Sequence, residues 1–368
     1  MKMSENGLLL NALTSVFQWN KSRVECFAMI IMGMISAQSV NLANIAEHAK
    51  QAQTTKYDSL YKRIQRFFSE FDLPFGDIAR FIFNLFAFIN CFLIIDRTNW
   101  WFGGSPINYL VLSVRFKNVA IPLFWIALKK CGNSQASDRI KILQRFVAAF
   151  GKAVLRDFCG DREFACNALL KYLLSESIPF TLRIKGNCIV KNSKGLPVQI
   201  KRLFGDIAPG EVRVLRQILV LKNIVDIVAY LKPCGELVIL TTNHDVDTVQ
   251  DRYINRNQIE TMFKAMKTQG FNLEDTHITD PDRIARLMGA MAVSFAWSYK
   301  IGDYIDEESH IKVKSHGRRL RSVFKTGFRF LINLFSNVSH RIDEFIAVIS
   351  LIFNGDNHKF KTINFNWL

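Results

Sequence analysis

From Cys91 onward the apolar residues stop recurring at helical spacing and gather in short runs, and this change constrains the fold more than any other feature of the chain. "CFLIID" ends on a carboxylate, "YLVLSVRF" is continuously apolar or alternating, and "VAIPLFWIAL" follows after Lys117 and Asn118. Three runs of strand length joined by short turns predict an antiparallel meander. A helix is expected from Ser137, capped by Ser137 or Asp138 and stopped at Gly151. "AVLRDFCGDREF" then reads as a strand whose exit carries Asp161, residues 165–175 as a helix, and "FTLRIKG" as another strand.

The order strand, strand, strand, helix, strand, helix is that of an α/β, RNase H-like core. Residues 187–232 fit short strands punctuated by Gly195-Leu196-Pro197 and Pro209-Gly210, a β-rich insertion. "ELVILTTN" returns as a last core strand, and "DRYINRNQIETMFKAMK" follows as one helix. The apolar run at residues 82–95 is broken by Asn84 and Asn90 and is too short to span a bilayer, so it reads as a buried helix running into a strand.

Upstream, the chain reads as helical to about Leu85. "ANIAEHAKQAQTTKYDSLYKRIQRFF" offers a short helix, a turn and a second helix capped by Thr54 or Thr55. Leu60, Ile64 and Phe67 would face inward, leaving Lys56, Tyr57, Lys62, Arg63 and Arg66 outward. A helix-turn-helix that meets DNA and a plain three-helix bundle with a basic rim fit this pattern equally. Downstream, a core helix is expected from about Pro281. Residues 311–330 hold seven Lys or Arg and no Asp or Glu, with Phe324, Phe328 and Phe330 interleaved. Such a stretch suits DNA phosphates or a membrane surface. "NLFSNVSHRIDEFIAVISLIF" reads as one further helix, packed within the chain or against a second subunit. The expected division is a helical DNA-binding domain at 1–85, the RNase H-like domain at 86–305 with its insertion at about 187–232, and a basic, helical region at 306–368.

Among 368 residues, 48 Lys and Arg against 32 Asp and Glu give a net charge of +16, which favours a polyanionic partner through counterion release. A hydrophobic fraction of 49% with 31 Phe excludes a disordered chain. Seven scattered cysteines without a CxxC pair, and histidines without an HExxH or HxH pair, point away from zinc and from a secreted disulfide framework. Nothing near Met1 has the order of a signal peptide, so the chain reads as cytoplasmic.

On a helical wheel stepped at about 100° per residue from Tyr253, Arg256 falls near 300°, Glu260 near 340° and Lys267 near 320°. Ile259, Met262, Phe263 and Met266 take roughly 180° to 280° on the same wheel, so the polar stripe borders the buried face. Ion pairing of Arg256 with Glu260 explains the stripe as well as a metal and phosphate site does, when the helix is read alone.

The spacing Tyr253-x2-Arg256-x3-Glu260-x6-Lys267 resembles the YREK signature of the IS4 family of DDE transposases. "IIDRTNW" resembles that family's first catalytic Asp, at Asp96, and "GDREF" its second, at Asp161. "YKRIQRFF" and "HGRRLRSVFKTG" resemble stretches that flank the core, so the resemblance runs from about residue 40 to 330. By spacing alone Asp157 or Glu163 could replace Asp161; the match to "GDREF" favours Asp161. Asp245 and Asp247 read as charge and capping ahead of the helix.

The resemblance implies Asp96, Asp161 and Glu260 as catalytic residues holding two Mg²⁺ ions about 4 Å apart, with Mn²⁺ as a substitute. It implies Tyr253, Arg256 and Lys267 as contacts to DNA phosphates, joined by Lys62, Arg63 and Arg66 of the upstream helix. The activity implied is cut-and-paste transposition, with double-stranded DNA of the terminal inverted repeats and the target as partner. A homodimer on DNA, a nucleoid-associated place in the cytoplasm and no membrane go with it. A catalytically inactive DNA-binding derivative is the alternative. Family members that form a DNA hairpin can stack a flipped base on a Trp upstream of the YREK helix. Here no Trp occurs between Trp125 and Trp297, which leaves another aromatic such as Tyr230 for that role.

Overall fold

The computed structural model describes residues 5–50, 55–128, 131–315, 317–355, 358, 360–363 and 365. The chain divides into two compact units, one of residues 1–87, 100–107 and 263–368, the other of residues 88–99 and 108–262.

The first unit opens with α1 (Glu5–Val16), α2 (Lys21–Ala37), α3 (Leu42–Lys50), α4 (Tyr57–Glu70) and α5 (Phe75–Leu85). Asn20 caps α2 by accepting from the Ser22 N–H, and Gln38 closes it in the left-handed conformation at φ 51°. From Cys26 to Ile35 all but Met32 are buried, so α2 is apolar nearly all round, as a core helix must be. Leu60, Ile64 and Phe67 of α4 are buried as their spacing predicts. Lys56 occupies the cap of α4 without a side-chain bond, so Thr55 does not cap it; Thr54 lies outside the described residues.

The second unit is built on an eight-stranded sheet. Its elements in chain order are β1 (Cys91–Phe102), β2 (Ser105–Phe116), β3 (Val119–Ala127), α6 (Ala136–Phe150), β4 (Leu155–Gly160), α7 (Asn167–Ser175), β5 (Phe180–Arg183), β6 (Ile189–Lys191), β7 (Pro197–Gln199), β8 (Val212–Val220), β9 (Asn223–Leu231), β10 (Leu237–Thr242), α8 (Val249–Ile254) and α9 (Gln258–Lys264). The sheet order is β3-β2-β1-β4-β5-β10-β9-β8. β2 and β3 are antiparallel, β1, β4 and β5 are parallel, and β10, β9 and β8 continue antiparallel. Helices α6 and α7 supply the crossovers that parallel neighbours require. This is the α/β, RNase H-like arrangement.

Three details depart from the sequence reading. β1 does not end at Asp96 but runs on to Phe102, where Gly103 at φ 56° turns it into β2. α6 starts one residue early, at a Gln135 cap whose N–H is accepted by the Asp138 carboxylate. Residues 251–267 are not one uniform helix: α8 tightens to a 3₁₀ turn at Asn255–Asn257, and α9 loosens to a π turn at Ala265–Gln269.

The first unit is completed by α10 (Pro281–Ser309), α11 (Val323–Ser336) and α12 (Ile342–Asn354). α10 has Pro at its start and an Asp280 cap bonded to the Arg283 N–H. α10 and α11 touch backbone to backbone. A Cβ on Gly302 would lie 2.0 Å from the Val323 carbonyl oxygen, and one on Gly327 2.0 Å from that of Ser298. The last helical stretch, read as one helix, breaks at Asn337 and passes through a 3₁₀ turn at Val338–His340 before α12. No single helix among the described residues is long and apolar enough to cross a membrane; α2 and α3 together have the length and composition but are bent by 101°.

Candidate active site

The site is assembled from β1, β4 and the α8–α9 segment, all within the second unit. In the parallel pair of β1 and β4, Ile95 lies opposite Gly160. Asp96 and Asp161 are the next residues on each chain, so both carboxylates leave the paired segment at one level. A glutamate on α9, Glu260, completes the set.

α8 is held against the sheet by apolar contact. Val249 and Tyr253 pack with Cys159, Val228, Tyr230, Val238, Leu240 and Val246. From that anchored position the Tyr253 hydroxyl donates to Asp161 Oδ1 at 3.0 Å. Burial, then the charge of Asp161, pushes the Tyr253 phenol far above its usual range, so it remains a donor. One turn on, Arg256 Nη2 donates to Asp96 Oδ2 at 2.6 Å and Nη1 to Glu260 Oε1 at 2.8 Å. The Arg256 side chain is 11% exposed, Asp96 17% and Glu260 60%. Burial pushes Asp96 up to about 6, against the pull of Arg256 and of the Arg97 N–H, while Glu163 and Asp161 push it the same way as burial. Burial lowers Arg256, but Asp96 and Asp161 outweigh it and hold the guanidinium charged. Its Nε is buried without a hydrogen-bond partner among the described residues.

Two arginines that the motif does not include pair with carboxylates around the strand ends. Arg97 Nε and Nη2 form a fork on Glu163 at 2.5 and 2.7 Å. Its remaining donors reach Asn108 Oδ1, the Gly132 carbonyl and Asn133 Oδ1 at 3.3, 3.0 and 3.3 Å. All five guanidinium hydrogens are thereby used, and the residue after Asp96 is tied to the residue two past Asp161. Arg183 lies 3.8 Å from Asp161 Oδ1 and is also ion-paired with Glu236. The signal for the first pair was in the sequence, since Arg97 adjoins Asp96 and Glu163 belongs to "GDREF", but nothing in either stretch says that they meet.

Other residues singled out by the sequence take different places. Asp157 is 1% exposed, accepts from Thr181 Oγ1 and is hydrogen-bonded with His244 Nε2, both at 3.0 Å. Asp245 accepts from the Asp247 N–H and Thr248 Oγ1, a capping arrangement ahead of α8. Tyr230 is 5% exposed and packed in the cluster under α8, so it offers no face to a flipped base. Lys267 belongs to the first unit, where its Nζ lies 2.9 Å from Glu274 Oε1 and above the Trp100 ring. The 3₁₀ turn before Glu260 and the π turn that contains Lys267 depart from a uniform 100° step. Also in the first unit, Lys62 and Arg66 are exposed on α4, whereas Arg63 donates to the Ser22 carbonyl at 3.0 Å and pairs with Glu25.

The donor set of Asp96, Asp161 and Glu260 is chemically suited to a hard divalent cation, which prefers carboxylate oxygens. Its present arrangement is not a formed metal site. Among the described residues no three His, Cys, Asp or Glu side chains are grouped to hold an ion, and Asp96 and Glu260 are both bonded to Arg256.

Residues 123–297 match the family model described as "Transposase DDE domain". That span begins after Asp96 and contains Asp161, Tyr253, Arg256 and Glu260. Among solved structures, the chain is similar to the piggyBac transposase in a cryo-EM synaptic complex with hairpin DNA. The identity is 12% over 96% of this chain and 83% of that one, with a TM-score of 0.48. No curated protein matches the chain.

Proposed function

We propose that the chain is a DNA transposase of the DDE type, acting by cut-and-paste excision and strand transfer in the manner of the IS4 family. The observation that carries this reading is the placing of Asp96 and Asp161 at one level on neighbouring parallel strands, with Tyr253, Arg256 and Glu260 laid over them by α8 and α9. Similarity of residues 123–297 to the transposase DDE domain supports it.

In this reading Asp96, Asp161 and Glu260 hold Mg²⁺, two ions in all, for which Mn²⁺ substitutes. When bound, the ions stabilise the attacking and leaving oxygens of an in-line phosphodiester displacement. The chain's own residues prepare the site. Arg97 and Glu163 brace the strand ends, and Tyr253 orients Asp161. Arg256 neutralises Asp96 and Glu260 and, on release from them, takes a phosphate oxygen. Lys267 and the exposed Lys62 and Arg66 add phosphate contacts, and a +16 chain draws duplex DNA by counterion release. The partners are the terminal inverted repeats and the target DNA, handled by a homodimer on DNA. The site of action is chromosomal DNA in the cytoplasm.

The test is cleavage of a duplex carrying the terminal repeats that flank the coding sequence, in Mg²⁺. Nicking at the repeat ends by the wild type, abolished in Asp96→Asn and Asp161→Asn with DNA binding retained, is the expected result. Binding without any cleavage by the wild type would favour the inactive DNA-binding derivative.

A further inference from the structure

We propose that the groove between the C-terminal end of α2 and α11 is a docking surface for the phosphate backbone of duplex DNA, separate from the carboxylate site. The groove encloses about 570 Å³ and is lined by Gln38, Arg321, Lys325, Arg329 and Asn333. Lys325 and Arg329 stand one turn apart on α11, a step of about 6 Å along the axis. Neither forms an ion pair among the described residues, although Arg319 and Arg341, on either side in sequence, pair with Asp306 and Glu344. The Lys325 ammonium donates to the Gln269 carbonyl at 3.1 Å, and the first turn of α11 has no acidic residue. The charges of Lys325 and Arg329 therefore stand in a concave place without a carboxylate partner among the described residues, which favours a polyanion. Gln38 and Asn333 add the neutral amide donors common at sugar-phosphate contacts.

The same helix answers the question left open by the Phe-rich basic stretch. A membrane-surface helix must present its apolar face to lipid. Here that face is used inside the unit. Phe324 and Phe328 are 4% and 0% exposed, Phe324 stacks on Phe295 at 5.2 Å, and Phe328 meets Phe271 at 5.0 Å. With Gly302 and Gly327 locking α11 to α10, the Phe face cannot be turned outward without separating the two helices. The groove itself presents Gln38, Arg321, Lys325, Arg329, Asn333 and Ser336 beside a half-buried Ile332, a mainly cationic and polar lining that fits phosphate.

The inference rests on the DNA-processing reading only for the nature of the polyanion. Its test is binding of the full chain to a fluorescent random-sequence duplex across a potassium chloride series, read by anisotropy. Arg329→Gln is the primary variant because Arg329 is exposed; Lys325→Gln with Arg329→Gln is the second, with thermal melts to verify folding. The expected result is a salt slope reduced by about 0.9 for each phosphate no longer neutralised, with weaker binding at every salt concentration. Unchanged slope and affinity in both variants would overturn the proposal. So would capture by phosphatidylserine vesicles that depends on Arg329 while DNA binding does not. A chain that binds DNA through this groove but cleaves none would count against the catalytic reading and leave this one standing.

Discussion

Arg256 Nη2 lies 2.6 Å from Asp96 Oδ2 across 160 residues of sequence, and the same guanidinium holds Glu260 at 2.8 Å. Without a divalent cation, one arginine supplies the positive charge that these two carboxylates share. The pair is mostly buried, so its consequences are those of an internal ion pair. The net gain from making it is small, and the loss from removing one partner is large.

Arg256→Ala therefore leaves Asp96 buried without its counter-charge and is expected to lower stability by about 3–5 kcal/mol. Adding Asp96→Asn to that variant should restore a substantial part. Urea unfolding of the two single variants and the double variant measures the coupling directly, and strict additivity would contradict it.

Asp96 also sets a pH dependence. Its unfolded value is near 3.8 and its folded value about 6, so the folded state alone binds a proton between them. That contribution to stability is complete below 3.8 and is lost as pH rises through 6, a decline of roughly 3 kcal/mol for a shift of this size. Subtracting the unfolding free energy of Asp96→Asn from that of the wild type, in metal-free buffer from about pH 4 to 7, isolates it. A difference that is flat or rises with pH would be the wrong sign.

Arg97→Lys keeps the charge but cannot reproduce a fork on Glu163 and three further bonds. A loss of about 2–3 kcal/mol is expected, with Glu163→Gln costing a similar amount because it strands the Arg97 charge. If both substitutions fall within about 0.5 kcal/mol of wild type, the brace has no structural weight.

Gly302→Ala places a methyl 2.0 Å from the Val323 carbonyl. The helix-propensity gain of about 1 kcal/mol is outweighed by a backbone clash that α11 can relieve only by moving away. A net loss of at least about 2 kcal/mol is expected. A calorimetric melt at or above the wild-type temperature would show that the helices are not in backbone contact.

The β1–β3 meander and the succession of strand and helix after it were legible because residues 91–128 fall into short apolar runs, and the turn chemistry around them separates strand from helix. The reach of β1 beyond Asp96 was not. Trp100 continues the alternation, but charged and polar neighbours between Asp96 and Asn99 hide it. The wheel drawn from Tyr253 placed Arg256 beside Glu260, since four residues within nearly regular helix keep the i,i+4 neighbourhood. Lys267 lies inside a π turn, where a uniform step no longer applies. Long-range partners leave no local trace. Neither Asp96 with Arg256 nor Arg97 with Glu163 can be inferred from spacing, since the first depends on α8 packing against the sheet and the second on the sheet bringing β1 beside β4.

The most direct measurement is the single-turnover cleavage rate of terminal-repeat DNA in Mg²⁺ by Glu260→Gln against wild type, at matched fractions of bound DNA. Glu260 is 60% exposed, so the substitution spares the fold. Cleavage by the wild type and a loss of about 10³-fold or more in the variant are predicted, the size expected when a group acting on transition-state charge is removed. Equal rates would remove Glu260 from the site and, with it, the claim that these carboxylates carry the chemistry.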